Sequence, residues 1–191
     1  MKKMKFHKLT LKILLDPEGN EFGYYEISPT NDDDLEWPWM HGAALKNPPT
    51  APLALKVDLE DDNAGEFADF IVGPIPLVTK RFRDVLDAVG VKNIDYYPVT
   101  IEGSDEFDAF PTYFAANIVG KIAAAAPTAR STKAFGGPGA NLFDELVLDP
   151  NLSTDLPIFI LAENLSTVIV SDKLKKKAEA MGVDTLRFID L

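Results

Sequence analysis

Cysteine is absent from this chain, and histidine occurs only at His7 and His41. The first absence excludes disulfide staples, thiolate metal sites and a cysteine nucleophile, and fits a reducing compartment. The two histidines lack the spacing of helix-face metal ligands, so no metal and no cofactor is expected. Long apolar runs are missing too. Phe159-Ile160-Leu161-Ala162 is among the longest, far short of the roughly eighteen residues a membrane span needs. Positive charge is scarce, with 19 Lys and Arg against 30 Asp and Glu and a net charge of −11. That balance opposes nucleic-acid backbones and anionic membranes and attracts basic partners. The start, Met1-Lys2-Lys3-Met4-Lys5, is basic but leads into alternating residues rather than an apolar signal core. The chain is therefore expected to be soluble and cytoplasmic.

Hydrophobic residues make up 46% of the 191, enough for a proper core. The most informative feature present is a repeat at an offset of 92: residues 78–99 and 170–191 have the same plan. Val78, Ala88, Gly90 and Val91 recur as Val170, Ala180, Gly182 and Val183. Thr79, Phe82, Ile94 and Tyr96 keep their chemical type as Ser171, Leu174, Leu186 and Phe188. Thr79 and Ser171 are helix caps, Phe82, Val85, Leu86 and Val89 share one helical face, and Leu174, Ala178 and Met181 repeat that stripe. Gly90 and Gly182 stand where each helix stops. Strand residues follow, and both stripes are expected to face one shared sheet.

Elsewhere, strand patterns dominate. Lys5 to Leu15 alternates, Asp16-Pro17-Glu18-Gly19-Asn20 is a turn, and residues 28–52 hold five prolines that argue against regular structure. Leu53 to Leu59, Leu142 to Leu148 and Pro157 to Ala162 read as strands, Phe67 to Val72 as strand or short helix, and Tyr113 to Ala125 as ambiguous. These patterns predict one α+β domain over residues 1–191, with a mixed, largely antiparallel sheet carrying a few helices on its face. Residues 1–55 form its β-rich amino-terminal part.

Motifs for catalysis are weak. There is no G-x-S-x-G elbow, and Gly136-Gly137-Pro138-Gly139 lacks the lysine and hydroxyl of a phosphate loop. Asp58, Glu60, Asp62 and Asp69 have calcium-loop spacing, but Asn63 stands where that loop needs glycine. Acidic residues cluster instead: Asp32-Asp33-Asp34 with Glu36, then Asp58 to Asp62, then Glu102 to Asp108. Trp37 and Trp39 follow the first cluster directly. Asp32, Asp33, Asp34, Trp37 and Trp39 are thus the candidate partner-binding residues, large apolar rings beside negative charge. The competing reading packs an indole onto the sheet.

Ile75-Pro76-Leu77-Val78-Thr79 leading to Gly90-Val91 and Ile94-Asp95-Tyr96-Tyr97-Pro98-Val99, with Leu146-Val147-Leu148-Asp149, Pro157-Ile158-Phe159 and the closing Val168 to Phe188, carries a resemblance. Over roughly residues 66–191 the chain resembles the bacterial polymorphic-toxin immunity proteins of the eleventh class, formerly a domain of unknown function. That resemblance implies a cytoplasmic antidote that binds a co-encoded toxin and blocks it by occlusion, and it carries over no catalytic residues. The alternative is an enzyme or small-ligand protein using carboxylates in a cleft.

Overall fold

The computed structural model describes residues 4–31, 37–59, 64–133 and 139–191. In chain order the strands begin with β1 (Phe6–Leu11), β2 (Leu14–Leu15), β3 (Glu21–Tyr24), β4 (Ile27–Pro29) and β5 (Leu53–Val57). Then come β6 (Ala64–Glu66), β7 (Phe70–Ile71), β8 (Leu77–Thr79), helix α1 (Lys80–Val89), β9 (Ile94–Glu102) and β10 (Tyr113–Ile118). The rest are β11 (Lys121–Ile122), β12 (Arg130–Lys133), β13 (Asn141–Glu145), β14 (Ile158–Leu161), β15 (Asn164–Ser171), α2 (Asp172–Ala180) and β16 (Leu186–Asp190). The class is α+β with mixed sheets, as the patterns predict. The ambiguous stretch after Tyr113 resolves into β10, and residues 67–72 give only the short β7.

Two sheets carry the fold, ordered β4-β5-β9-β10-β8-β7 and β11-β14-β15-β1-β16. Each contains one of the two similar segments. In the first, β8 and β9 both pair antiparallel with the strand between them, β10, and α1 makes the crossover. In the second, β15 and β16 flank β1, and α2 makes the crossover. Strands that share an antiparallel neighbour run parallel to each other, and a parallel connection needs a helix to cross the sheet. The shared sheet expected from the sequence is therefore incorrect. Each unit joins its own sheet because a different strand, β10 or β1, fills the gap that its crossover leaves.

Local chemistry sets the helices. Thr79 Oγ1 accepts the Phe82 N–H at 3.2 Å and Ser171 Oγ accepts the Leu174 N–H at 3.4 Å. Gly90 and Gly182 turn the chain at φ +87° and +73°, left-handed values that glycine alone adopts cheaply. The helices pack against each other. Phe82, Leu86, Leu174 and Ala178 join Val78, Ala116 and Ile118 from one sheet and Leu9, Ile160 and Val170 from the other in a central core. The far face of each sheet has its own core, one around Leu55, Leu77 and Tyr113, the other around Phe6, Phe159 and Ile169.

A buried carboxylate locks the units together. Asp69 is 1% exposed. Its Oδ1 accepts from Thr79 Oγ1 at 2.6 Å and Arg81 Nε at 3.0 Å, and its Oδ2 from Arg81 Nη2 at 2.6 Å and Thr185 Oγ1 at 2.8 Å. Arg81 also donates to the Gly182 carbonyl at 3.0 Å, so one ion pair spans the end of each unit. The hydrogen bonds that Arg81 donates to Asp69 raise the Arg81 pKa, against the cost of desolvating the guanidinium.

Candidate functional site

Asp58, the described member of the second acidic cluster, meets the third cluster at one end of the six-stranded sheet. β5 and β9 are parallel, with Lys56 opposite Glu102, so both chains leave the sheet at the same end. β4 enters there from the other direction, and the Asp58 N–H donates to the Glu26 carbonyl at 2.9 Å. A turn at Gly103 then folds residues 104–108 over the strand ends. Gly103 has φ +82°, and a Cβ there would lie 2.8 Å from Val57 Cγ1, so only glycine fits without displacing that side chain. The result is a surface carrying Glu26, Asp58, Glu102, Asp105, Glu106 and Asp108, all exposed.

Beneath it lies an aromatic cluster that the sequence reading did not single out. Tyr25 stacks on Phe67 with centroids 4.7 Å apart, and Phe107 meets both rings edge-on at 4.9 and 4.8 Å. Phe110 adds a fourth ring 4.7 Å from Phe67. All four are half-buried, so they hold the acidic loop to the sheet while keeping ring area at the surface. A groove of about 480 Å³ alongside is lined by Glu26, Ser28, Lys56, Asp58 and Leu59. The signal in the sequence was Phe107 and Phe110 interleaved with Asp105, Glu106 and Asp108; what it lacked was the parallel register that brings Asp58 there.

The tryptophan segment lies at the opposite end of that sheet, where the Thr30 N–H bonds the Ala54 carbonyl at the start of β5. Trp39 is 5% exposed and packs edge-on against Tyr97 at 5.7 Å. It is a core residue, not an exposed anchor, because the next residue, Met40, adopts φ +60° and drives its side chain into the central core while Trp39 enters the outer one. Trp37 is half-buried, 6.4 Å from Trp39, with its indole N–H donated to the Asn47 carbonyl. Asp32, Asp33 and Asp34 lie outside the described residues, as do Glu60 and Asp62 of the calcium-like spacing and Gly136 to Pro138 of the glycine-rich loop.

The histidines are far from this surface in role. His41 is exposed. His7 is 0% exposed, its Nε2 3.3 Å from Asp172 Oδ1 and its Nδ1 2.8 Å from Asp190 Oδ1, the second contact close but not aligned as a hydrogen bond. Lys5 donates to Asp190 at 2.7 Å and holds its carboxyl down to about 2. Lys176, with His7 adding a smaller effect, lowers Asp172. Among the described residues no three His, Asp or Glu side chains converge as metal ligands, and no helix is long and apolar enough to cross a membrane.

The family model of the immunity protein family (Imm11) matches residues 49–191. That span takes in both helix–strand units, the buried Asp69 and most of the acidic surface. No curated protein matches the chain.

Proposed function

The chain belongs to the Imm11 immunity protein family, and from that premise we propose that it binds a co-encoded bacterial toxin in the cytoplasm and neutralises it by occluding its active cleft. The observation that carries this mode of action is the convergence of Glu26, Asp58, Glu102, Asp105, Glu106 and Asp108 over half-buried aromatic rings. Carboxylates clustered on a chain of net charge −11 steer a basic cleft toward them, and the rings supply area that holds it after encounter. Asp32, Asp33 and Asp34 beside Trp37 form the second proposed contact. Trp39 serves there as the support that fixes Trp37, since its own ring is enclosed.

Co-expression with the neighbouring toxin gene tests the reading. Relief of growth arrest and copurification of the two proteins are expected. Neutralising Glu102, Asp105, Glu106 and Asp108 together to their amides should reduce copurification and protection. A chain that neither copurifies with the toxin nor relieves arrest overturns the function, and full protection by the amide variant overturns the acidic surface as its seat.

A further inference from the structure

On the premise that the chain binds its toxin through the acidic end, we propose that the uncovered half of the six-stranded sheet is the bed on which a basic α-helix of that toxin docks. Alternation along the strands shows which face is open. In β5, Leu53, Leu55 and Val57 are buried in the outer core, so Ala54 and Lys56 point to the opposite side, the side that α1 and α2 cover elsewhere. The register of β9 places Thr100 beside Ala54 and Glu102 beside Lys56, and Ser28 of β4 lies opposite Lys56 on its other flank. At the start of β9, Ile94 and Tyr96 pack into the central core on that side, whereas Pro98, Thr100 and Glu102 further along are exposed. The helices thus stop short of β5 and β4. Arg83 of α1 stands at the boundary, its guanidinium 4.5 Å from the ring centres of both Tyr96 and Phe114.

Size, side-chain bulk and charge select the occupant. The distance from β4 across β5 to β9 is two strand spacings, about 10 Å, and β5 runs for about 17 Å; one helix of about three turns has that width and length. Ser28, Ala54 and Thr100 are small, so a helix can approach the strands closely. Two residues along from Ser28 and Lys56, on the same face, stand Glu26 and Asp58, joined through the Asp58 N–H and the Glu26 carbonyl at 2.9 Å. With Glu102 they make one end of the bed acidic, and Lys56 is the one cation among its described residues. The solvent side of α1 adds no net charge, because Lys80 pairs with Asp84 and Arg83 with Asp87. A second copy of this chain does not suit the face. A two-fold contact sets a patch against itself, which would bring Glu26, Asp58 and Glu102 against the same carboxylates. Lysine and arginine on a helix meet them with the opposite sign.

The chain has no cysteine, so a single introduced cysteine can place a photo-cross-linker at a chosen point of the complex with the co-encoded toxin. Benzophenone maleimide on Thr100→Cys should capture a toxin segment with lysine or arginine three or four residues apart, the spacing of one helical face. On Ser166→Cys, exposed on the other sheet, it should not capture that segment. Thr100→Arg should weaken toxin binding about tenfold or more, and Thr100→Ser should leave it unchanged. Lys56→Gln should strengthen binding, a gain that misfolding cannot produce. Parental affinity in Thr100→Arg, or no gain in Lys56→Gln, overturns this inference alone. So does capture from Thr100→Cys of an acidic segment, of a second copy of this chain, or of nothing. A parent chain that does not bind the toxin overturns the proposed function and this inference together.

Discussion

Asp69 shows how much one side chain decides. Its four hydrogen bonds use the carboxylate fully, and they arrive from β8, from α1 and from the loop before β16. Asp69→Ala should destabilise the chain by about 2–4 kcal/mol, because it removes the buried partner of Arg81 and leaves the hydroxyl protons of Thr79 and Thr185 without their acceptor; urea unfolding measures this. The histidines should behave oppositely. His41→Ala, at an exposed position, should leave stability within about 0.5 kcal/mol and protection against the toxin intact. His7→Ala should cost on the order of 2 kcal/mol or more, since it empties a fully enclosed site between two carboxylates. Loss of protection in a stably folded His41→Ala variant that still binds toxin would indicate an enzymatic antidote. Asp190 gives a pH signature. Its folded pKa is depressed to about 2, so its contribution is present above the unfolded value near 3.9 and is lost as pH falls from there through about 2. In Asp190→Asn that part of the acid limb should disappear from a stability–pH curve.

The two helices are alike as elements and unlike in their surroundings. Each is nine or ten residues, too short to persist alone in water, so burial of its apolar stripe stabilises it. Ser171 only caps α2, whereas Thr79 caps α1 and also donates to Asp69 at 2.6 Å. Ser171→Ala should therefore cost about 1 kcal/mol, and Thr79→Ala about 1–2 kcal/mol more, because a buried carboxylate loses a donor. Equal losses in urea unfolding would show that the Thr79 hydroxyl acts as a cap alone. The caps and stops of both helices and the stripe of α1 were legible in the sequence because each depends on residues within one or two turns; in α2 Leu174 and Ala178 are buried as expected, but Met181, just past the helix end, is 36% exposed and leaves the stripe. Strand pairing was not legible, since the partner of a strand is set by contacts tens of residues away.

At the scale of the whole molecule, carboxylates gather at one end of the six-stranded sheet, whereas at the edge of the other Lys12, Lys175 and Arg187 stand together with Glu179 and Asp190. Neutralising Glu102, Asp105, Glu106 and Asp108 should slow association with the toxin most at low salt, because at about 0.15 M the field already reaches only roughly 8 Å. Trp37→Ala should act on dissociation instead. Trp39→Ala is not a usable probe of the interface, as removing a core indole should cost about 3–5 kcal/mol of stability. Association and dissociation rates that match the parent chain across a salt series would remove both proposed contacts.

The sequence by itself determined the class, the two capped helices with their glycine stops, the charge of −11 and the similarity of residues 78–99 to 170–191. All of these are properties of composition or of neighbours along the chain. Only the tertiary structure decided that the two units enter different sheets, with β10 and β1 as their inner strands. It alone put Asp58 beside Glu102, enclosed Trp39, paired Asp69 with Arg81 and left β16 at an open edge. Those outcomes rest on which distant strands pair and in which register, and a one-residue slip in register would exchange buried for exposed side chains along the whole strand.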